Sequence, residues 1–246
     1  MQAAQIPQAQ QTPSPLAGEG WGGGDARHLA RLLTWLSPSF PTGAFSYSHG
    51  LEMAVEDGAV RDVDTLVAYV TAVLEHGVGA TDAAFFVHAF DAVADHALLE
   101  TIAARAAAMR GSAEFALEAQ AQGQAFLATV RAAWPSAALE RAVAALETPP
   151  VHAVAVAIAA ATAGIPQGPA RLAFINGFAA NLVSAALRLI PLGQTDGQRA
   201  LARLEPVVLA AALRDAAALD EIASAAPLID ILSMRHETQY TRLFRS

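Results

Sequence analysis

The 246-residue chain contains neither cysteine nor lysine. The first absence removes disulfides, thiolate metal sites and cysteine nucleophiles together. The second removes Schiff-base and P-loop lysine chemistry, because all fifteen basic residues are arginine. Charge of any kind is scarce, at 15% of residues, and its balance of −8 opposes general nucleic-acid binding, which needs a basic patch. Extended apolar–polar alternation, a repeat of fixed period and an internal linker are all missing. So is a secretory signal. Residues 1–26 (MQAAQIPQAQQTPSPLAGEGWGGGDA) lack a basic n-region and an apolar h-region, and their Gln, Pro and Gly content predicts a disordered leader.

What is present is alanine-rich apolar sequence, 54% hydrophobic, which favours closely packed helices in one domain over 27–246. Two segments invite a membrane reading. Val151 to Ala163 is too short to cross about 30 Å of hydrocarbon. Ala170 to Ile190 is long enough but carries Arg171, Asn176, Asn181 and Arg188. A charge at mid-membrane costs roughly 2.5–3.5 kcal/mol. Both segments are therefore expected as buried helices of a soluble, cytoplasmic protein that binds no membrane, and the lack of cysteine is compatible with that compartment.

Periodicity and breakers predict an all-α globule of about ten helices. The first starts after Asp25, with Leu29, Leu32, Leu33 and Leu36 on one apolar face, and Pro38 ends it. A second runs over about 48–56 to the Asp57-Gly58 turn. Asp62 or Asp64 caps a third, with Leu66, Val70, Val73 and Leu74 inward, and Thr81 opens a fourth through Phe85, Phe86 and Phe90. Further helices cover about 96–110, 112–133 and 136–147. Beyond the Thr148-Pro149-Pro150 break come 151–163, 168–190 and 196–219, with Pro206 kinking or splitting the last of these. Pro227 sits at N1 of a final helix running into the tail. Gly177, Ala179, Ala180, Ser184, Ala185 and Ala186 allow close helix approach on 168–190, either within the chain or at a dimer interface.

Catalytic signatures are weak. His236-Glu237 begins an HExxH-like run, but Tyr240 stands where the second histidine belongs. The seven histidines form no close HxH or HxxxH pair. No G-x-S-x-G, Walker A or nucleotide-binding glycine fingerprint occurs. The expectation is no catalytic residue, no metal ligand and no cofactor of its own. A metal-dependent hydrolase with dispersed His, Asp and Glu remains the alternative.

The two ends carry the remaining signal. SPSFPTGAFSYSHGLE at 37–52 displays Phe40, Phe45 and Tyr47 among prolines and glycines, and aromatic rings suit interface hot spots. RHETQYTRLFRS at 235–246 sets Arg235, Arg242 and Arg245 against Glu237 and adds Tyr240, Leu243 and Phe244. Such a tail either orders on binding a partner or is simply a docked terminal helix or frayed end, and composition does not decide between the two.

With EDGAVRDVDTL at 56–66, LRLIPLGQTDGQRAL at 187–201 and PLIDILSMRHETQYTRLFRS at 227–246, the opening motif resembles the urease accessory protein UreF family. The likeness runs from about residue 28 to the end. It implies an all-helical, non-enzymatic protein that dimerises, bridges the UreD/UreH accessory protein and the UreG GTPase, and couples GTP hydrolysis to nickel delivery to the urease apoprotein. Nickel and GTP are then handled by the complex. By resemblance, Glu52 matches a glutamate implicated in that coupling, Phe45 an aromatic position near the GTPase-recruiting surface, and Arg188 a basic position that is lysine in some members. Arg242 matches a tail arginine linked to the D/H partner. With Tyr47, His236, Glu237, Tyr240, Leu243 and Phe244, these complete the expected partner-binding set, within a partner-binding tail at 227–246.

Overall fold

Helix α1 (Gly23–Trp35) opens the part of the chain that the computed structural model describes, residues 23–246. The expected leader lies outside the described residues up to position 22. Positions 23–26 already belong to α1, which starts two residues before Asp25 rather than after it. The Leu29–Leu36 face is only partly used. Leu32 and Trp35 are buried, whereas Leu29 and Leu33 are exposed. The helix packs at the periphery, mainly along α9, so it covers a narrow line of side chains rather than a full apolar stripe. Trp35 closes that line with edge-on contacts to Phe126 and Trp134.

After a loop with one 3-10 turn (Ala44–Ser46) come α2 (Leu51–Glu56) and α3 (Val63–Glu75). Asp62 caps α3: its carboxylate accepts from Thr65 N at 2.9 Å, and the Thr65 hydroxyl oxygen accepts in turn from Asp62 N. The four predicted inward residues of α3 are all buried. Helix α4 (Val78–Asp91) begins three residues before Thr81. Gly77 supplies the first acceptor there, leaving Thr81 buried inside the first turn with its hydroxyl donating to Val78 O. Next are α5 (His96–Ala108), α6 (Ala113–Ala133), α7 (Ala137–Ala144), α8 (His152–Thr162) and α9 (Gln167–Leu189).

Helix α8 is the axis of the fold. Its residues 153–160 are all buried, and α4, α6, α7 and α9 surround it. Alanine at 153, 155, 157 and 159–161 lets these helices approach closely. Gly123 of α6 marks the tightest point: a Cβ there would lie 2.1 Å from Pro150 O. Among the described residues one helix, α9, is long and apolar enough to cross a membrane, and here it packs against α10, α4, α8 and α3. Its small residues Ala179, Ala185 and Ala186 are consumed in that packing.

Helix α10 (Gln194–Leu213) continues through Pro206 without splitting and stops six residues short of the expected 219. Pro206 and Ala202, whose carbonyl loses its i+4 donor, both face solvent, so water satisfies the freed acceptor. Residues 214–226 have no helix, and α11 (Pro227–His236) follows with proline in its first turn. The final ten residues leave the helix and run back across the core. Among the described residues there is no strand, as an all-α reading requires.

Candidate functional site

The loop before α2 turns on three residues in the left-handed region. Gly43 and Gly50 have φ of 75° and 74°, and His49, at φ 57°, is the one non-glycine residue with positive φ among the described residues. Gly50 also allows close approach, because a Cβ would stand 3.3 Å from both Ser233 N and Tyr69 Oη. The Tyr69 hydroxyl donates to His49 O at 2.9 Å and fixes this turn.

The loop's three aromatic rings do not share a fate. Phe45 projects outward, 66% exposed. Phe40 is buried against Phe126 and Trp134, and Tyr47 is buried with its hydroxyl held above the usual phenol range by that burial. The expected display of all three is corrected accordingly: two of them anchor the loop, and one is presented.

The terminal segment is docked. Ser48 N donates to the main-chain oxygen of Ser246 at 2.7 Å, joined by the Ser48 hydroxyl, and Arg245 N donates to Ser46 O at 2.8 Å. Leu243 N and Phe244 N both donate to the Glu52 carboxylate, at 2.7 and 2.9 Å. The Ser246 hydroxyl donates to Glu118. The terminal segment is docked as an irregular stretch after α11, neither frayed nor a terminal helix in its last ten residues.

At the centre stands His236, the last residue of α11, wholly buried. Its Nδ1 lies 2.7 Å from Glu114 Oε2 and its Nε2 lies 3.0 Å from Glu52 Oε2. Arg242 Nη1 donates to the other Glu114 oxygen at 2.7 Å. Glu118, one turn along α6, faces His49 Nδ1 at 3.4 Å. Beneath them the Ser112 and Ser233 hydroxyls meet at 2.6 Å, and Ser112 caps α6 by accepting from Phe115 N. Glu237 adds to that cap by accepting from Ala113 N. The two His236 nitrogens turn to different carboxylates instead of converging on one point. Among the described residues no group of three or more His, Asp or Glu side chains stands ready to hold a metal ion.

Arg188 joins the site from α9. Its guanidinium lies over the Phe45 ring at 3.7 Å and the Phe244 ring at 4.3 Å, and donates to Phe45 O at 2.7 Å. Partial burial lowers its affinity for the proton from the ordinary arginine range.

Eight of the ten predicted residues are thus assembled in one place: Phe45, Tyr47, Glu52, Arg188, His236, Arg242, Leu243 (through its main-chain N) and Phe244. Tyr47, Glu52, His236 and Phe244 are interior. Phe45, Glu237, Tyr240, Arg242 and Leu243 are the exposed members, with Glu237 serving the α6 cap and Arg242 holding Glu114. The sequence reading missed Glu114, Glu118, His49 and Ser233. The signal was available in α6, where Glu114, Glu118 and Gln122 recur at four-residue spacing on the same stripe as Phe126 and Val130, the side a core helix normally keeps apolar.

Two cavities border this region or lie away from it. One of about 30 Å³, room for about one or two waters, lies behind His49 and is lined also by His152, Glu118, Gln122 and the Asp82–Arg110 ion pair. The other, about 200 Å³, sits between α4, α9 and residues 211–225, and no predicted site residue lines it.

Residues 60–205 match the family model described as UreF. The chain is 52% identical over 221 residues to "Urease accessory protein UreF" of Rhodopseudomonas palustris strain BisB5, covering 89% of this chain and 91% of that one. It is 49% identical to the protein of the same name from Bradyrhizobium diazoefficiens, with 90% and 93% covered. The Granulibacter bethesdensis protein of that name is also 49% identical, with 91% and 95% covered.

Proposed function

The chain belongs to the UreF family of urease accessory proteins, which are urease maturation factors, and from that premise we propose that it acts as a non-catalytic adaptor in the cytoplasm. In this reading a homodimer bridges the UreD/UreH accessory protein and the UreG GTPase. The assembly couples GTP hydrolysis to delivery of nickel, its cargo, to the urease apoprotein. The single observation that supports the reading most is the junction of loop and terminal segment. Phe45 and Phe244, 199 positions apart in sequence, flank one guanidinium on α9. A partner that touches the terminal segment is therefore in mechanical contact with the surface that presents Phe45.

The adaptor would then work by position. Arg188 is engaged on both faces and at Phe45 O, which suits a structural bridge better than a finger reaching into a GTPase. Co-expression with the UreD/UreH and UreG proteins tests the reading, with the size of the purified complex as the readout. A complex containing all three chains is expected. Deletion of residues 234–246 should abolish retention of the D/H protein, and unchanged retention would remove the terminal segment from the partner surface.

A further inference from the structure

Each of the two contacts made by the His236 ring needs a proton between nitrogen and oxygen. Glu114 takes one at 2.7 Å and Glu52 takes one at 3.0 Å. A neutral imidazole carries a single N–H, so between two ionised carboxylates it satisfies one contact and sets two lone pairs against each other in the second. The charge count agrees. Two buried carboxylates face one guanidinium, that of Arg242, and the imidazolium supplies the missing positive charge. Without it an uncompensated anion stays in a site where Glu52, Glu114 and His236 are all buried.

We infer that His236 is held as an imidazolium by Glu52 and by Glu114 as an unassigned positioning residue, and that this charge latches the terminal segment onto the core. The route is short. The proton on Nε2 fixes the Glu52 carboxylate, whose two oxygens then accept Leu243 N and Phe244 N. Those two bonds set Phe244 beneath Arg188. On the other side, Glu114 orients the ring through Nδ1 and holds Arg242. Loss of the proton frees Glu52 from its fixed orientation and removes the register of residues 243–246.

Other charged groups surround the ring. From α6 there is Glu118, which faces His49 and accepts from the Ser246 hydroxyl. From α11 there are Asp230, one to two turns back, and Arg235, occupied by a bidentate pair with Asp57. The terminal segment contributes Arg242, and Glu237 points away to the α6 cap. Only Glu52 and Glu114 meet the ring nitrogens. His49 is the one competing imidazole in the cluster, and the test separates the two histidines.

For its functional meaning the inference rests on the adaptor reading above, but its test needs no partner. Nitrogen NMR of the full chain, labelled in histidine and assigned with His49→Gln, reports the protons on each ring. Amide exchange reports docking at Leu243 and Phe244. The expected result near neutral pH is two protonated nitrogens on His236 and slow exchange at both amides. Removing the charge from the ring should release both amides together, since both are held by the carboxylate that the ring fixes. Glu114→Gln should neutralise the ring and speed both amides by roughly tenfold or more while helix content stays unchanged. Glu114→Asp should recover part of the protection. A singly protonated His236 ring with protected amides would overturn the inference, as would protection that persists after the ring has lost its charge. Retention of the D/H and UreG proteins, measured separately, decides the adaptor reading on its own.

Discussion

The Arg188 guanidinium lies 3.7 Å from the centre of the Phe45 ring, and its other contact, Phe244, lies 4.3 Å away. One side chain of α9 therefore couples the loop before α2 to the end of the chain. Each cation–π contact is worth about 0.5–1 kcal/mol at a partly exposed position, and the bond to Phe45 O adds about 1 kcal/mol. Arg188→Ala should destabilise the fold by about 2 kcal/mol in urea unfolding and speed amide exchange at Phe244. Arg188→Lys should recover less than half of that loss, because an ammonium cannot lie flat between two rings while bonding a carbonyl. Full recovery by lysine would show that charge alone matters here.

Phe45 offers the cleanest separation of surface from stability. Its ring is largely solvent-facing, and its loss removes one cation–π contact. Phe45→Ala should cost no more than about 1 kcal/mol of stability. If the adaptor reading holds, the same change should weaken GTPase capture roughly tenfold or more, as loss of an exposed aromatic anchor does at other interfaces. Titration of the purified D/H–adaptor complex with the GTPase measures it. Equal capture by both forms would move the recruiting surface elsewhere.

Much of this fold is legible in the sequence because its helices are separated by strong breakers. The Thr148-Pro149-Pro150 break and the Asp57-Gly58 turn fall where expected, and Asp62 caps α3 through chemistry visible in its neighbour Thr65. Ends drifted where a local rule met tertiary packing. Thr81 resembles a cap, yet α4 starts at Val78 because Gly77 carries its acceptor deeper into the core. Pro206 resembles a break, yet its lost bond faces water. In the site, resemblance supplied Glu52, Arg188 and Arg242 as separate positions. Their meeting depends on contacts spanning more than 120 residues, such as Glu114 with His236, which no local window contains. Glu114 and Glu118 were legible only as a fault in the apolar stripe of α6.

Gly123 makes a sharp prediction about the core. In most helix interiors alanine is better than glycine by about 1 kcal/mol. Here a Cβ would stand 2.1 Å from Pro150 O, 2.8 Å from Val151 C and 3.0 Å from His152 N, all backbone atoms at the start of α8. Neither helix can retreat, since α8 is packed on every side. Gly123→Ala should therefore lose about 2–3 kcal/mol net, visible as a lower urea midpoint with an unchanged slope. A neutral or stabilising result would mean that the α6–α8 spacing is wider than described.

His152 predicts how the protein responds to acid. Its ring is half-buried at the start of α8, between the Phe126 and Phe174 rings, and its buried Nε2 has no hydrogen-bond partner among the described residues. Burial pushes its pKa down from 6.5 to about 4, with Asp82 and Glu118 opposing that shift. The sign follows from the two states. Above about pH 6.5 the ring is neutral folded and unfolded, and stability is untouched. Between about 6.5 and 4 the unfolded chain takes a proton that the folded chain refuses, so stability falls with pH. From these values the loss is about 2 kcal/mol between pH 7.5 and 5, and about 3 kcal/mol by pH 4. His152→Leu keeps the volume and removes the titration. Urea unfolding across that range should show the variant losing about 2 kcal/mol less than the parent chain by about pH 5. Parallel curves for the two proteins would place the acid sensitivity in groups other than His152.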